Sequence, residues 1–202
     1  VVQVASARRL RGEPPRVGAL DVGEAERTAL EVLSEVAMAD GDTPGQLRLN
    51  RELVALGRAE GGAQGLGLTT ILNNYGAARM VSGDLAGAES TFVEAIEVAR
   101  RVAGDDHPMI ALCRENLGNV YYQQGKLDLT ARNLELVLAM RRRALGDDSE
   151  PVARTLTNMG AVYSRLGKIA EAEAKYREAI PRLTERLGAD SPDVGVALLG
   201  FG

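Results

Sequence analysis

The sequence predicts an all-α solenoid of antiparallel helix pairs, on three observations. Asn74-Tyr75-Gly76, Asn116-Leu117-Gly118 and Asn158-Met159-Gly160 are offset by 42 residues, and the same offset joins Gly83, Gly125 and Gly167. Apolar residues between these landmarks recur every three and four positions, as in Leu117, Val120 and Tyr121 and then Leu134, Val137 and Leu138; this is the spacing of a helix with one buried face. Strand-like alternation is absent. A fixed period of this length marks stacked helical units, each burying its apolar side against the next.

The elements follow in order. Residues 1–23 read as a linker, because Arg8, Arg9, Arg11 and Arg16 repel one another and Pro14-Pro15 breaks a helix. A degenerate repeat is expected over 24–65, where Gly41-Asp42 stands one period before Gly83-Asp84 and Leu30 and Leu33 one period before Leu72 and Tyr75. Pro44 opens its second helix, which should run to about Arg58, and Gly61, Gly62, Gly65 and Gly67 form a loose link. Clear repeats cover 66–107, 108–149 and 150–191, and 192–202 begins a further first helix, so the chain reads as a segment of something longer. Within each repeat the turns SGD, QGK and LGK stop the first helix, since glycine takes the left-handed conformation that a helix C-terminus favours. Gly104, Gly146 and Gly188 stop the second, in AGDDHP, LGDDSE and LGADSP. The next helix then starts at His107, Ser149 or Ser191, with Pro108 and Pro192 suited to a first turn.

Composition narrows the function. Twenty-four Lys and Arg against 28 Asp and Glu leave a net charge of −4, which argues against electrostatic capture of nucleic acid. The single cysteine, Cys113, cannot form an internal disulfide, and the single histidine, His107, rules out a multi-histidine metal site. A reducing, cytoplasmic setting is expected, with no metal and no cofactor. The segment GGAQGLG lacks the Lys and Ser or Thr of a phosphate loop. No apolar run approaches the roughly 20 residues of a membrane helix. Nothing supplies an acid, base or nucleophile constellation, so an enzyme is not expected.

The residues at the packing positions resemble the tetratricopeptide repeat. Gly76, Gly118 and Gly160 fall on its small first-helix residue, and Tyr121 and Tyr163 on its aromatic, with Arg79 departing. Ala88, Ala95, Ala172 and Ala179 fall on its second-helix small positions, while Thr130 and Val137 replace them in the middle repeat, which is expected to pack more loosely. The 42-residue period, LNN, QGK and LGDDHP-like turns are similar to the kinesin-light-chain subtype. The resemblance implies a right-handed superhelical solenoid, tetratricopeptide-repeat-like, whose first helices line a concave groove.

Positions offset by four, seven and eleven in a first helix share one face. They give Thr70, Asn74, Ala77 and Val81, then Leu112, Asn116, Asn119 and Gln123, then Arg154, Asn158, Ala161 and Arg165. Asparagine competes with the helix backbone, so three at one register position call for a reason. Two readings stand side by side: the amides grip the main chain of an extended peptide, or they bond to adjacent helices and fix repeat spacing. Arg154 and Arg165 flank Asn158 and suggest an acidic ligand at that end. The expected function is a non-catalytic interaction module binding a short peptide segment of a protein partner, with no nucleic-acid or membrane partner. The alternatives are a regulatory or structural arm of a larger signalling protein carrying a kinase, protease or ATPase domain, and self-association through the terminal repeats. His107 reads as a turn residue, Cys113 as core, and Arg141, Arg142 and Arg143 as a solvated face of an outer helix.

Overall fold

The computed structural model describes residues 22–59 and 65–202. Residues 1–21 of the linker predicted over 1–23, and the link at Gly61 and Gly62, lie outside the described residues, while Val22 and Gly23 belong to the first helix instead of the linker. Among those described, every regular element is an α-helix: α1 Val22–Ala39, α2 Thr43–Ala59, α3 Leu66–Val81, α4 Leu85–Ala103, α5 Pro108–Gln123, α6 Leu127–Leu145, α7 Glu150–Arg165, α8 Ile169–Leu187 and α9 Pro192–Phe201. The helices pair as the tandem period requires, and the fold is a tetratricopeptide-repeat-like α-α solenoid. The chain divides into two compact units, one ending at Val102 and one beginning at Ala103.

In the first unit α2 opens at Thr43 and Pro44, as the proline suggests, and its Gly57 lies against Leu68 and Ile71 of α3. Gly67 belongs to α3 rather than to a loose link; it stands in the first helical turn, where its lack of a side chain is least costly. Tyr75, Leu72, Phe92 and Ala95 are buried together along α3 and α4. Arg79, which departs from the aromatic pattern, stacks on Tyr75 with 4.4 Å between guanidinium and ring centre. It also donates to the Gly87 carbonyl at 3.0 Å, so a cation–π contact and a hydrogen bond replace the missing ring.

In the second unit one core runs through Leu134, Leu138, Val152, Leu156, Met159, Tyr176, Ala179 and Leu183 to Val194 and Ala197. Full burial of an aliphatic side chain such as Leu156 contributes about 2 kcal/mol. The first helices α5, α7 and α9 alternate with α6 and α8. Gly125 and Gly167 close the short turns at φ +73°, and Gly146 and Gly188 close the long ones at +80° and +84°. His107 Nδ1 accepts the Met109 amide at 3.2 Å and caps α5, and Ser191 Oγ does the same for Asp193 at 3.3 Å on α9. Ser149 does not cap: its hydroxyl donates back to the Gly146 carbonyl at 3.0 Å.

Thr130 and Val137 are buried, and the space over Gly118, which Phe92 and Tyr176 fill over Gly76 and Gly160, is occupied by Asn133. Its amide donates to the Arg114 carbonyl, while its own oxygen accepts from Arg114 Nη1 at 3.3 Å. A buried polar group carries little cost when its hydrogen bonds are made inside the protein.

Candidate functional site

The second unit exposes a face built from α5 and α7, and the sequence places the candidate residues on it. Asn119, Gln123, Arg154, Asn158, Ala161 and Arg165 are exposed and Asn116 is half-buried, whereas Leu117, Val120, Leu156 and Met159 on the opposite side are core. This split follows from the helical period alone. Asn74 is likewise exposed, on α3 of the first unit, with its Oδ1 at 3.5 Å from Asn73 Nδ2.

The two arginines of the stripe differ. Arg154 Nε bonds to Glu150 at 2.8 Å and its Nη2 to Asp193 of α9 at 2.7 Å. Its charge is already met by two carboxylates, so the expectation that Arg154 favours an incoming acid is corrected. Arg165 has no acidic partner among the described residues. Its guanidinium lies 4.7 Å from the ring centre of Tyr122, at the end of α5; the aromatic face attracts the cation while the side chain stays exposed to solvent.

Asn158 makes no hydrogen bond among the described residues, and it borders a depression of about 170 Å³ with Glu115, Arg154, Thr157, Asp193 and Val196. Both amide donors and the amide oxygen are therefore available to a main chain laid along α7. Asn116 does have interactions within the protein.

Sequence reasoning missed the ion pair that holds Glu115, a lining residue of this depression. Arg141 is not on a solvated face: it reaches from α6 between α5 and α7, with Nη2 at 2.6 Å from Glu115 Oε2 and Nη1 at 2.8 Å from Thr155 Oγ1. Of its neighbours, Arg143 faces outward and Arg142 is half-buried. Arg142 pairs with Asp147 at 2.7 Å and with Glu178, and Arg143 pairs with Asp106. A run of three arginines looks solvated, but a helix turns about 100° per residue, which aims the first of them inward.

Cys113 is fully buried and its thiol is pushed up to about 11 by burial, against the lowering effect of a backbone hydrogen bond, which suits a core residue and not a nucleophile. Among the described residues no cluster of His, Cys, Asp and Glu is arranged to hold a metal, and no helix is long and apolar enough to cross a membrane.

A family model described as tetratricopeptide repeat matches residues 67–142 and 115–185. No curated protein sequence matches the chain. Among solved structures, BtubC (BKLC) from P. vanneervenii is similar with a TM-score of 0.78 at 20% identity, over 99% of this chain and 80% of that one. A Podospora anserina protein of kinesin-light-chain type with nearly identical TPR-like repeats aligns at 0.76 and 14% identity, over 90% of this chain and 86% of that one. A Rap protein complexed with Competence and Sporulation Factor aligns at 0.67 and 16% identity, over 83% of this chain and 45% of that one.

Proposed function

Since this chain belongs to the tetratricopeptide-repeat family, whose fold is a protein–protein interaction module, we propose that it is a non-catalytic receptor for a short extended peptide segment of a protein partner. The segment lies in a concave groove along α5 and α7, over Asn116, Asn119, Gln123, Asn158 and Arg165; Asn74 holds the equivalent register position on α3 of the first unit. One observation carries the reading: Asn158 occupies an exposed helical position with its amide unengaged among the described residues. Asparagine there costs the helix some stability relative to alanine, and a role in holding repeats together requires partners that Asn158 does not have. A ligand main chain supplies them.

Arg165 gives the ligand its polarity. A guanidinium stacked on Tyr122 and unpaired with any acid among the described residues favours an acidic side chain at the α5 and α7 C-terminal end. The buried, unpaired thiol of Cys113 accords with a cytoplasmic setting. Fluorescence anisotropy with a positional-scanning library of capped peptides tests the reading. Binding should weaken about tenfold with Asn158→Ala, the loss of roughly one charge-free hydrogen-bonded contact, and Arg165→Gln should abolish the preference for Asp or Glu. Peptide binding indifferent to both changes would refute the groove.

A further inference from the structure

A second pocket opens beside the same face. It is about 210 Å³ in volume, and its walls are apolar: Ala111 and Leu112 of α5, Met140, Ala144 and Leu145 of α6, and Pro151 of α7. Leu112 belongs to the register row of Asn116, Asn119 and Gln123, so the pocket is continuous with the proposed groove. It is neither flooded with charge nor covered. Leu112 and Leu145 are 40% and 55% exposed, whereas the polar groups at its edge are satisfied internally, Arg141 by Glu115 and Thr155 and Asp106 by Arg143.

The following repeat carries different side chains at the same place. One period on, Leu112 becomes Arg154, Met140 becomes Arg182, Ala144 becomes Arg186 and Pro151 becomes Asp193. There Arg154 binds Asp193 and Glu150, and Arg182 pairs with Asp148 at 3.4 Å. Equivalent backbone thus carries a charged, self-paired site in one repeat and an uncharged notch in the other. A neutral occupant suits the notch, because a charged one would lose its hydration and find every counter-charge already engaged.

We infer that the notch at Leu112, Met140 and Leu145 takes one large apolar side chain, of leucine or phenylalanine size, from the peptide in the groove. This rests on the groove reading and adds the ligand's anchor to it. The size is adequate, since a closed apolar cavity of roughly 150 Å³ holds a benzene ring. Burying such a side chain is the kind of contact that dominates an interface, with rim charges adding selectivity. The ligand therefore has an apolar anchor at the N-terminal end of α5, separated by the Asn116 stretch from an acidic residue at Arg165.

The probe is N-acetyl-leucine methylamide, with N-acetyl-glutamine methylamide as the polar control, titrated into protein labelled at its Leu and Met methyl groups. Saturable shifts at Leu112, Met140 and Leu145 with the leucine probe alone are expected. Ala144→Arg installs the residue of the following repeat at an exposed helical site that tolerates it, and should weaken that binding at least tenfold with unchanged melting. Equal response to both probes, no response, or full binding by A144R overturns the inference. Library peptides that need Asn158 yet bind A144R as tightly as the unmodified protein overturn the anchor and leave the groove standing. Leucine-probe binding that A144R removes, in a protein whose peptides ignore Asn158, sinks the groove and keeps the pocket.

Discussion

The ring of Tyr176 lies directly over Gly160, so close that a methyl group on Gly160 would stand 2.7 Å from it. The same ring meets Gly200 from the other side, its hydroxyl and Cζ lying where a side chain on Gly200 would go. Tyr176 of α8 is thereby held between α7 and α9, and both glycines are needed for the helices to approach. Gly118, at the position of Gly160 one period earlier, has only the Asn133 amide at 3.2 Å from the place a methyl group would take.

The two glycines should therefore respond differently to alanine. Gly160→Ala forces the aromatic ring and its helix to shift and should cost about 1–3 kcal/mol, as overpacked cores do. Gly118→Ala meets a side-chain amide that can give way and gains up to about 1 kcal/mol of helix propensity; it should fall within about 1 kcal/mol of the parent. Urea unfolding of the two variants checks the order. Equal destabilisation would show that the asparagine is as unyielding as the ring.

This difference also marks how much the sequence discloses. Period, helix pairing, turn glycines and the exposed stripe were legible because each depends on local chemistry repeated at a fixed offset. Gly118 repeated in phase, but nothing near it said that Asn133 would fill the space of an aromatic ring. Arg141 was read as solvated for a related reason: its partners Glu115 and Thr155 lie 26 and 14 residues away, and the contact exists only once α6 has packed between α5 and α7. Asp193 disarms Arg154 from 39 residues away. Local pattern shows which face a residue takes; whether its charge is already spent depends on tertiary neighbours.

Arg141 is 16% exposed at its side chain and Glu115 25%, between a surface pair and a fully buried one. Removing the guanidinium leaves Glu115 partly desolvated and Thr155 without a donor, so Arg141→Ala should cost about 1–3 kcal/mol, above an exposed ion pair and below a fully buried one. Arg143→Ala, about 200° away around α6 and on an exposed pair with Asp106, should change stability little. Thermal unfolding of both variants separates them; a larger effect at Arg143 would contradict the inward placement of Arg141.

The caps at His107 and Ser191 make a matched pair. His107→Ala removes the acceptor for the Met109 amide and should cost about 0.5–2 kcal/mol. His107→Ser puts at α5 the residue that already caps α9 and should recover most of that loss. A histidine retained for any purpose beyond the turn would show itself as a loss of peptide binding that serine does not restore.

Tyr163 donates to Glu135 at 2.8 Å, and its pKa is pushed up to about 12, first by burial and then by the hydrogen bond and negative charge of Glu135. The neutral phenol is the form the fold favours. The unfolded chain releases that proton near pH 10 and the folded one near 12, so the stabilisation is complete below about pH 10 and is lost as pH rises through 12. Tyr163→Phe has no proton to lose. Guanidinium unfolding midpoints measured from pH 8 to 11 should fall less steeply for this variant than for the parent, and parallel curves would show that Tyr163 titrates normally in the folded protein. The comparison is direct because Tyr163 lies on the core side of α7, two residues from Arg165 on the groove stripe, and the substitution leaves the exposed amide of Asn158 and the Tyr122–Arg165 stack in place. Peptide affinity should consequently remain unchanged at pH 7 while the alkaline limb of stability moves.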